Sequence, residues 1–206
     1  MKEKSMNPSL QLILDIAEKL ILEKGCRNTT LQEIAVQGGL TKGAIYHYVK
    51  SKDELFALIL EAGQQQANQR FIDSVSDTAS QKTGPLGPFE SLSRSLHNLA
   101  GRENAANLIF IYLLSQKDSP AVTDILNRYY EASIQMTKRW IEVGKQHKAI
   151  PEYINEENAA RMFAVFKNGL QIQNVLAPES GKIPDRDLYQ FLLNALGVKD
   201  TSSQER

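Results

Sequence analysis

Residues 29–55 read TTLQEIAVQGGLTKGAIYHYVKSKDEL. The pattern is a short amphipathic helix, a pair of glycines, a second short helix and the start of a third. Thr30 with Glu33, and Ser51 with Glu54, form capping-box patterns that open helices. The glycine pair suits the turn, because glycine tolerates a left-handed backbone. This spacing is typical of a helix-turn-helix, whose second helix fits the DNA major groove.

The second helix of the motif, expected over Lys42–Val49, has an apolar and a polar face. Ile45 and Val49 lie four residues apart and are expected to face inward. The expected core of this region is Ile34, Ala35, Leu40, Ile45 and Val49. The polar face would offer hydrogen-bonding groups to base edges and phosphates from Lys42, Gly43, Tyr46, His47 and Lys50.

Each polar position suits a particular contact. Lys42 can donate to guanine O6 or N7, and Gly43 lets the backbone approach closely. His47 can reach a base or a phosphate, although a plain surface histidine is the alternative. We expect hydroxyl or ammonium contacts with phosphate from Thr30, Tyr46, Tyr48, Lys50 and Lys52, with mere solvation as the alternative for the two lysines.

Basic charge is concentrated in this region. The chain has 24 basic and 24 acidic residues, a formal net charge of zero. From Lys24 to Lys52, however, five basic side chains accompany one acidic side chain, a net +4 that the rest of the chain offsets. Phosphate contact requires such a local patch, which the average over the whole chain conceals.

Helical periodicity extends along almost all 206 residues, and no segment shows the alternation typical of a strand. We therefore expect an all-α fold of about nine helices. The expected helices are Pro8–Lys24, Leu31–Gln37, Lys42–Val49, Ser51–Ser76, Phe89–Ala100, Glu103–Ser115, Pro120–Lys148, Glu156 to just before Pro178, and Asp185–Leu196. Residues 77–88, rich in glycine and proline, are expected to form a loop.

Several classes of function lack support in the sequence. Nucleophile-elbow, zinc-protease and Walker motifs are absent, so we expect neither an enzyme nor a cofactor. His97 and His147 have no partners at metal-ligand spacing, so no metal site is expected. Cys26, the only cysteine, cannot form an intrachain disulfide, which favours a cytoplasmic location; an inert, half-buried thiol is the expectation and a redox sensor the alternative. The longest apolar run, Leu108–Leu114, is far shorter than the roughly 20 residues that span a bilayer.

The run Gly43–Leu55, preceded by Thr30–Ala35, resembles the DNA-binding segment of the TetR family of bacterial transcriptional regulators. The matching positions are Gly43, Ile45, Tyr46, Tyr48, Lys52 and Leu55. Val49 stands where the family more often has phenylalanine, and both are buried apolar residues. The close resemblance covers about residues 10–60. Beyond them it rests on the chain length and on the all-helical pattern of the sequence.

This resemblance implies a ligand-responsive repressor that binds a palindromic operator in double-stranded DNA as a homodimer. It implies a helix-turn-helix domain over residues 1–52 and a larger helical domain for effector binding and dimerisation over residues 53–206. The DNA-facing positions carried over from the family are Thr30, Thr41, Lys42, Gly43, Tyr46, His47, Tyr48 and Lys52.

The larger domain would then hold a small, largely apolar effector and the dimer interface. Candidate effector contacts are His97, Phe110, Tyr129, Trp140 and Phe166, although such residues are often simply core. The last two helices carry broad apolar stripes. Candidate dimer contacts on these stripes are Met162, Phe163, Phe166, Leu170, Leu188, Phe191 and Leu192, with burial inside one subunit as the alternative.

Two other functions remain open from the sequence. One is a DNA-binding activator or architectural regulator that has no small-molecule effector. The other is a helical small-molecule enzyme or carrier in which the first three helices are only structural. Binding to a palindromic duplex, and its dependence on a small molecule, would separate these functions from a ligand-released repressor.

Overall fold

The computed structural model describes residues 7–79, 87–99, 104–176 and 183–198, and the regular elements in these ranges are all α-helices. They are α1 (Pro8–Asn28), α2 (Leu31–Gln37), α3 (Lys42–Tyr46), α4 (Lys52–Ala79), α5 (Gly87–Leu99), α6 (Ala105–Ser115), α7 (Pro120–Gln146), α8 (Glu156–Leu176) and α9 (Asp185–Ala195). The expected all-α class is therefore confirmed, with nine helices in the described part of the chain.

Most helix ends lie within a few residues of their predicted positions, and the exceptions have local causes. α1 continues to Asn28, but Gly25 interrupts it with a φ of 82°. α3 is shorter than expected because the chain tightens after Tyr46: the Tyr48 amide donates to the Ile45 carbonyl, three residues back, at 2.9 Å. α4 continues past the expected Ser76 to Ala79.

The chain divides into two compact units. The first contains α1–α3, α4 up to Gly63, α6, and α7 up to Tyr129. Its core includes the expected Ile34, Ala35, Ile45 and Val49, all buried, with Leu40 half-buried against them. α6 adds to the same core, so segments distant in sequence complete the unit. The domain boundary expected between residues 52 and 53 stays a prediction.

The second unit contains the remainder of α4 and α7 together with α5, α8 and α9. Its main cluster is built around Phe71 and Trp140, whose rings stack with centroids 4.9 Å apart. The indole N–H of Trp140 donates to the Asn68 side-chain oxygen at 2.9 Å, which fixes the orientation of the ring. In the described ranges, no helix combines the length and apolarity needed to cross a membrane.

Candidate functional site

The turn between α2 and α3 is built by local hydrogen bonds. The Thr30 hydroxyl accepts a hydrogen bond from the Glu33 amide at 3.2 Å and so caps α2. At the other end, Gly39 has a φ of 61°, and the Leu40 amide donates to the Ala35 carbonyl at 2.9 Å. This Schellman ending stops α2 and redirects the chain into α3. The predicted capping box is only half-formed, because the Glu33 carboxylate pairs with a lysine of α1.

α3 has one face in the core and one in solvent. Ile45 is fully buried, and Val49, just beyond the helix, is also buried. Lys42, Tyr46 and His47 are exposed on the other side. The Lys42 ammonium lies 5.6 Å from the centroid of the Tyr46 ring, one helical turn away. The amphipathic pattern therefore orients this short helix as expected, with its hydrogen-bonding groups outward.

Gly43 lies in the first turn of α3 and is exposed. A Cβ atom added there would meet only the Thr41 hydroxyl oxygen, at 3.9 Å. Nothing within the fold therefore requires glycine, although glycine in a helix costs about 1 kcal/mol relative to alanine. This absence of an internal reason favours an external one, the close approach of another molecule to the backbone.

The other predicted DNA contacts surround α3. The Thr41 hydroxyl caps the helix by accepting a hydrogen bond from the Ala44 backbone amide at 3.2 Å. Tyr48 is half-buried against the core and makes an edge-to-face contact with His47, with centroids 5.3 Å apart. Lys50 is exposed, and its backbone amide donates to the Glu54 carboxylate at 2.6 Å. The roles of these residues toward DNA stay predictions.

Lys52 begins α4, and its side chain points to the end of α1. Its ammonium donates to the carbonyl oxygens of Cys26 and Arg27 at 3.0 and 3.3 Å. It also lies 5.8 and 5.3 Å from the ring centroids of Phe56 and Tyr112. Carbonyls at a helix C-terminus lack intrahelical donors and carry partial negative charge. Lys52 therefore ties α4 to α1, and a phosphate would compete with these carbonyls for its ammonium.

Cys26 is buried at this junction. Burial raises the pKa of its thiol to about 11. The thiolate is the reactive form of cysteine, so the thiol is unreactive near neutral pH. This environment favours the structural role over the redox sensor.

The second unit contains an apolar cavity of about 280 Å³. Its aromatic wall consists of Phe71, Phe89, Trp140 and Phe163, contributed by four different helices. Thr137 and His147 are polar groups at its lining, and aliphatic side chains complete it. Ligand sites are typically apolar cavities with a few polar groups, and this one lies near the lower end of their size range.

Gly144 allows the chain after α7 to pack closely at this cavity. A Cβ atom on Gly144 would lie 2.6 Å from Cδ1 of Ile150, which also lines the cavity. At this position packing within the fold requires a glycine, in contrast to Gly43. The packing of Ile150 against α7 depends on it.

The predicted effector contacts do not all lie at the cavity. Trp140 lines it, whereas Phe166 stacks on Phe191 with centroids 4.4 Å apart. Phe110 and Tyr129 lie in the core of the first unit, where burial raises the pKa of the Tyr129 hydroxyl to about 12. The side chain of His97 is outside the described part of the structure. No set of three or more metal-ligating side chains capable of holding an ion occurs in the described ranges.

Sequence reasoning did not identify most of the cavity wall. Phe71 and Phe89 are apolar residues on helices with many others, and the sequence does not show which of them borders a void. That choice depends on how α4, α5, α7 and α8 pack. The aromatic content of α6–α8 was the available signal: it led to Trp140 as an effector contact, whereas Phe163, which also lines the cavity, was assigned to the dimer interface.

The predicted dimer contacts fall into two groups. Leu170, Leu188 and Leu192 are buried within the second unit, and Phe163 and Phe166 pack partly against the same cluster. Met162 and Phe191 are exposed, at 69% and 48%. α8 exposes further apolar side chains that sequence reasoning did not single out, namely Val165, Ile172, Val175 and Leu176. Whether any of these residues meets a partner subunit stays a prediction.

Comparison with known families and proteins bears on the first unit most directly. The family model described as "Bacterial regulatory proteins, tetR family" matches residues 13–59, which include α2, α3 and the start of α4. A second model, for a domain of unknown function (DUF1947), matches residues 111–165.

Longer matches extend beyond this segment. The HTH-type transcriptional repressor KstR2 of Mycobacterium tuberculosis is 32% identical over 134 residues, 65% of this chain and 64% of that protein. The uncharacterized HTH-type regulator YfiR of Bacillus subtilis is 23% identical over 164 residues, 80% of this chain and 78% of that protein. The solved structure of Salmonella enterica GusR shares the fold, with a TM-score of 0.66, 20% identity, and coverage of 96% of this chain and 100% of that one.

The matched segment coincides with the helices that form the exposed polar face and the Schellman turn. The longer relatives are named as helix-turn-helix regulators, and the fold similarity extends over nearly the whole chain. The residues that first suggested the resemblance, Gly43 to Leu55, therefore lie where the family model and the geometry agree. The helix-turn-helix segment of this chain, residues 13–59, belongs to the TetR family of bacterial transcriptional regulators.

Proposed function

We propose that this DNA-binding transcriptional regulator is a homodimeric repressor that binds a palindromic operator and is released by a small ligand. The family is one of transcriptional regulators rather than an enzyme class. Because its partner in this proposal is bacterial DNA, we place the protein in the cytoplasm. The relative KstR2 is named a transcriptional repressor, and this supports repression over activation.

One observation carries the proposal for DNA binding. α3 buries Ile45 and exposes Lys42, Tyr46 and His47, while Gly43 beside them has no packing role. A recognition helix needs a packed inner face and an outer face whose N-terminal residues reach base edges. The exposed lysine and imidazole can donate to bases or phosphates, and the missing side chain at position 43 allows close approach.

The exposed face of α8 supports a symmetric dimer. Met162, Val165, Ile172 and Leu176 are exposed, and with Gly169 they follow one another at alternating intervals of three and four residues. Apolar residues at this spacing form the contact line between helices that pack side by side. An apolar seam of this kind is costly to leave in water, and a two-fold copy of the same helix would cover it.

The cavity in the second unit is the proposed effector site. Its wall includes Phe71 and Val75 of α4, the helix whose first turn follows α3 and whose Lys52 contacts the end of α1. A ligand that shifts α4 at Phe71 could therefore alter the first turn of the same helix. Coupling of this kind typically amounts to about 1–3 kcal/mol and acts reciprocally on DNA and ligand affinity.

The direct test is selection of bound duplexes from a random DNA pool by the full chain. We expect a palindrome whose half-sites lie about one helical turn apart, or a multiple of it, since a two-fold dimer presents two recognition helices. Recovery of no enriched sequence, or of a single unrepeated site, would contradict the proposal.

Lys42→Ala separates base recognition from simple charge. We expect it to cost about 1–3 kcal/mol on the selected operator and to relax preference at one position of each half-site. Lys117→Ala, a matched exposed lysine far along the chain, should have neither effect. Fluorescence anisotropy over a salt series would measure the operator affinity of each variant. With about four phosphate contacts per subunit, affinity should fall roughly ten-thousand-fold between 50 and 200 mM salt.

A further inference from the structure

The wall of the cavity in the second unit has few polar groups. Among the residues that the structure describes along this wall, none is an aspartate, a glutamate, a lysine or an arginine. The polar side chains are Thr137 and His147, together with the indole N–H of Trp140. Thr137 is only 6% exposed, whereas His147 is exposed and therefore lies at the opening. Hydrogen bonding by side chains inside the cavity thus depends on Thr137 and Trp140.

Several donors along this wall are already used within the fold. The indole N–H of Trp140 donates to the Asn68 side-chain oxygen at 2.9 Å, so Trp140 offers a ligand only its ring. After α7, Ala149 and Ile150 line the cavity, and their backbone amides both donate to the Gly144 carbonyl, at 2.9 and 3.1 Å. None of these three groups can donate to a ligand without giving up a hydrogen bond of the fold.

Thr137, in contrast, has an oxygen that can still accept a hydrogen bond. A threonine hydroxyl carries one proton and two lone pairs. The Thr137 hydroxyl donates its proton to the Ser133 carbonyl oxygen at 2.9 Å, one helical turn earlier on α7. Its lone pairs remain for a hydrogen bond in which the ligand is the donor. Thr137 therefore gives the cavity a buried acceptor, which favours a ligand that brings a proton.

We propose that the cavity binds a neutral ring alcohol, whose ring lies against the aromatic wall and whose hydroxyl donates to the Thr137 oxygen. The proposal rests on the proposed function in taking this cavity as the effector site. A ketone of the same shape would bring its lone pairs to those of Thr137 and would leave both oxygens without a proton. A carboxylate would also lose its hydration without meeting a lysine or an arginine in the described wall.

Three compounds with one apolar body test this preference on the full-length protein: 4-tert-butylcyclohexanol, 4-tert-butylcyclohexanone and 4-tert-butylcyclohexanecarboxylate. Calorimetric titration measures their dissociation constants. The fluorescence of Trp140, the only tryptophan in the chain, reports whether they bind at the cavity. We expect the alcohol to bind about three- to ten-fold more tightly than the ketone, which is the effect of one typical hydrogen bond, and the carboxylate to bind most weakly.

Thr137→Val removes the oxygen and keeps the shape of the side chain. We expect this variant to bind the alcohol and the ketone with equal affinity. Thr137→Ser keeps the hydroxyl and should retain the preference for the alcohol. This second variant tests the same contact even if Thr137→Val does not fold, because loss of the preference in Thr137→Ser would contradict the assignment of the hydroxyl.

The matched control is Thr123→Val, the same substitution at an exposed position of the same helix, away from the cavity wall. It should leave the preference for the alcohol unchanged. Equal binding of alcohol and ketone to the wild type would overturn the proposal, and so would tightest binding of the carboxylate or no binding of the alcohol. A preference that survives in Thr137→Val would overturn it too, because the ligand hydroxyl would then lie elsewhere.

A parallel measurement of operator affinity separates this inference from the proposed function. An alcohol that binds through Thr137 without changing DNA affinity would support the alcohol site and contradict its role as the effector site. Alcohol and ketone that bind equally well and weaken DNA binding equally would support the effector cavity and overturn the assignment of Thr137.

Discussion

Lys52 shows how one side chain can satisfy a family pattern for a reason inside the fold. The resemblance assigns it to the DNA-facing set, whereas its ammonium donates to two carbonyls at the end of α1. A cation at a helix C-terminus contributes about 0.3–1 kcal/mol, and more when it is partly buried. The side chain therefore supports the position of α4 relative to α1 whether or not it also meets a phosphate.

Lys52→Met distinguishes the two roles. If Lys52 only ties the helices, the variant should lose about 1 kcal/mol of unfolding free energy and retain the salt dependence of DNA binding. If it also contacts a phosphate, the slope of log affinity against log salt should become shallower by about one unit. Urea unfolding and an anisotropy salt series measure the two effects separately, with exposed Lys117→Met as the matched control.

At the scale of elements, the two glycines of the α2–α3 region have opposite explanations. Gly39 has a φ of 61°, which costs a residue with a side chain about 1–2 kcal/mol. Gly43 is helical, and a Cβ atom added there would make only an ordinary contact with the Thr41 hydroxyl oxygen, at 3.9 Å. The first glycine is required by the turn, and the second is not required by the fold.

Gly39→Ala should therefore be the less stable of the two variants, whereas Gly43→Ala should be the one that binds DNA more weakly. We expect Gly39→Ala to destabilise the fold by about 1–2 kcal/mol. Gly43→Ala should stabilise it by up to about 1 kcal/mol and yet weaken operator binding, because the methyl group occupies the space needed by DNA. Thermal unfolding and anisotropy give both rankings. Full operator affinity in Gly43→Ala would refute close approach at this position.

The sequence predicted elements better than it predicted the sites that packing creates. α2 could be bounded because Thr30 and the glycine pair control its ends through hydrogen bonds a few residues long. The polar face of α3 followed from the spacing of Ile45 and Val49. The cavity could not be predicted in the same way, because it is the space left among several helices.

For the whole molecule, the main consequence of the fold is that each unit draws on distant segments. The first unit combines α1–α3 with α6 and the start of α7, because Ile109 and Leu113 of α6 are buried in its core. Deleting everything after residue 52 would therefore expose apolar surface on α1 that α6 covers.

Dimerisation can be tested through the exposed seam of α8. Val165→Glu should halve the mass measured by sedimentation velocity, because the carboxylate would have to be buried against the partner subunit. Ala132→Glu places the same charge at an exposed position of α7 and should leave the dimer intact. Operator binding should fall sharply in Val165→Glu, since two half-sites are needed. A wild type that sediments as one chain would contradict the dimer.

The buried Cys26 has a practical consequence for following the proposed switch. Because the only native thiol is shielded and protonated, maleimide and nitroxide reagents should leave it unmodified under mild conditions. A cysteine introduced at exposed Gln37, just before the α2–α3 turn, would then carry one spin label per subunit. Pulsed electron paramagnetic resonance on the dimer, with one label on each subunit, would measure the distance between the two helix-turn-helix motifs with and without ligand.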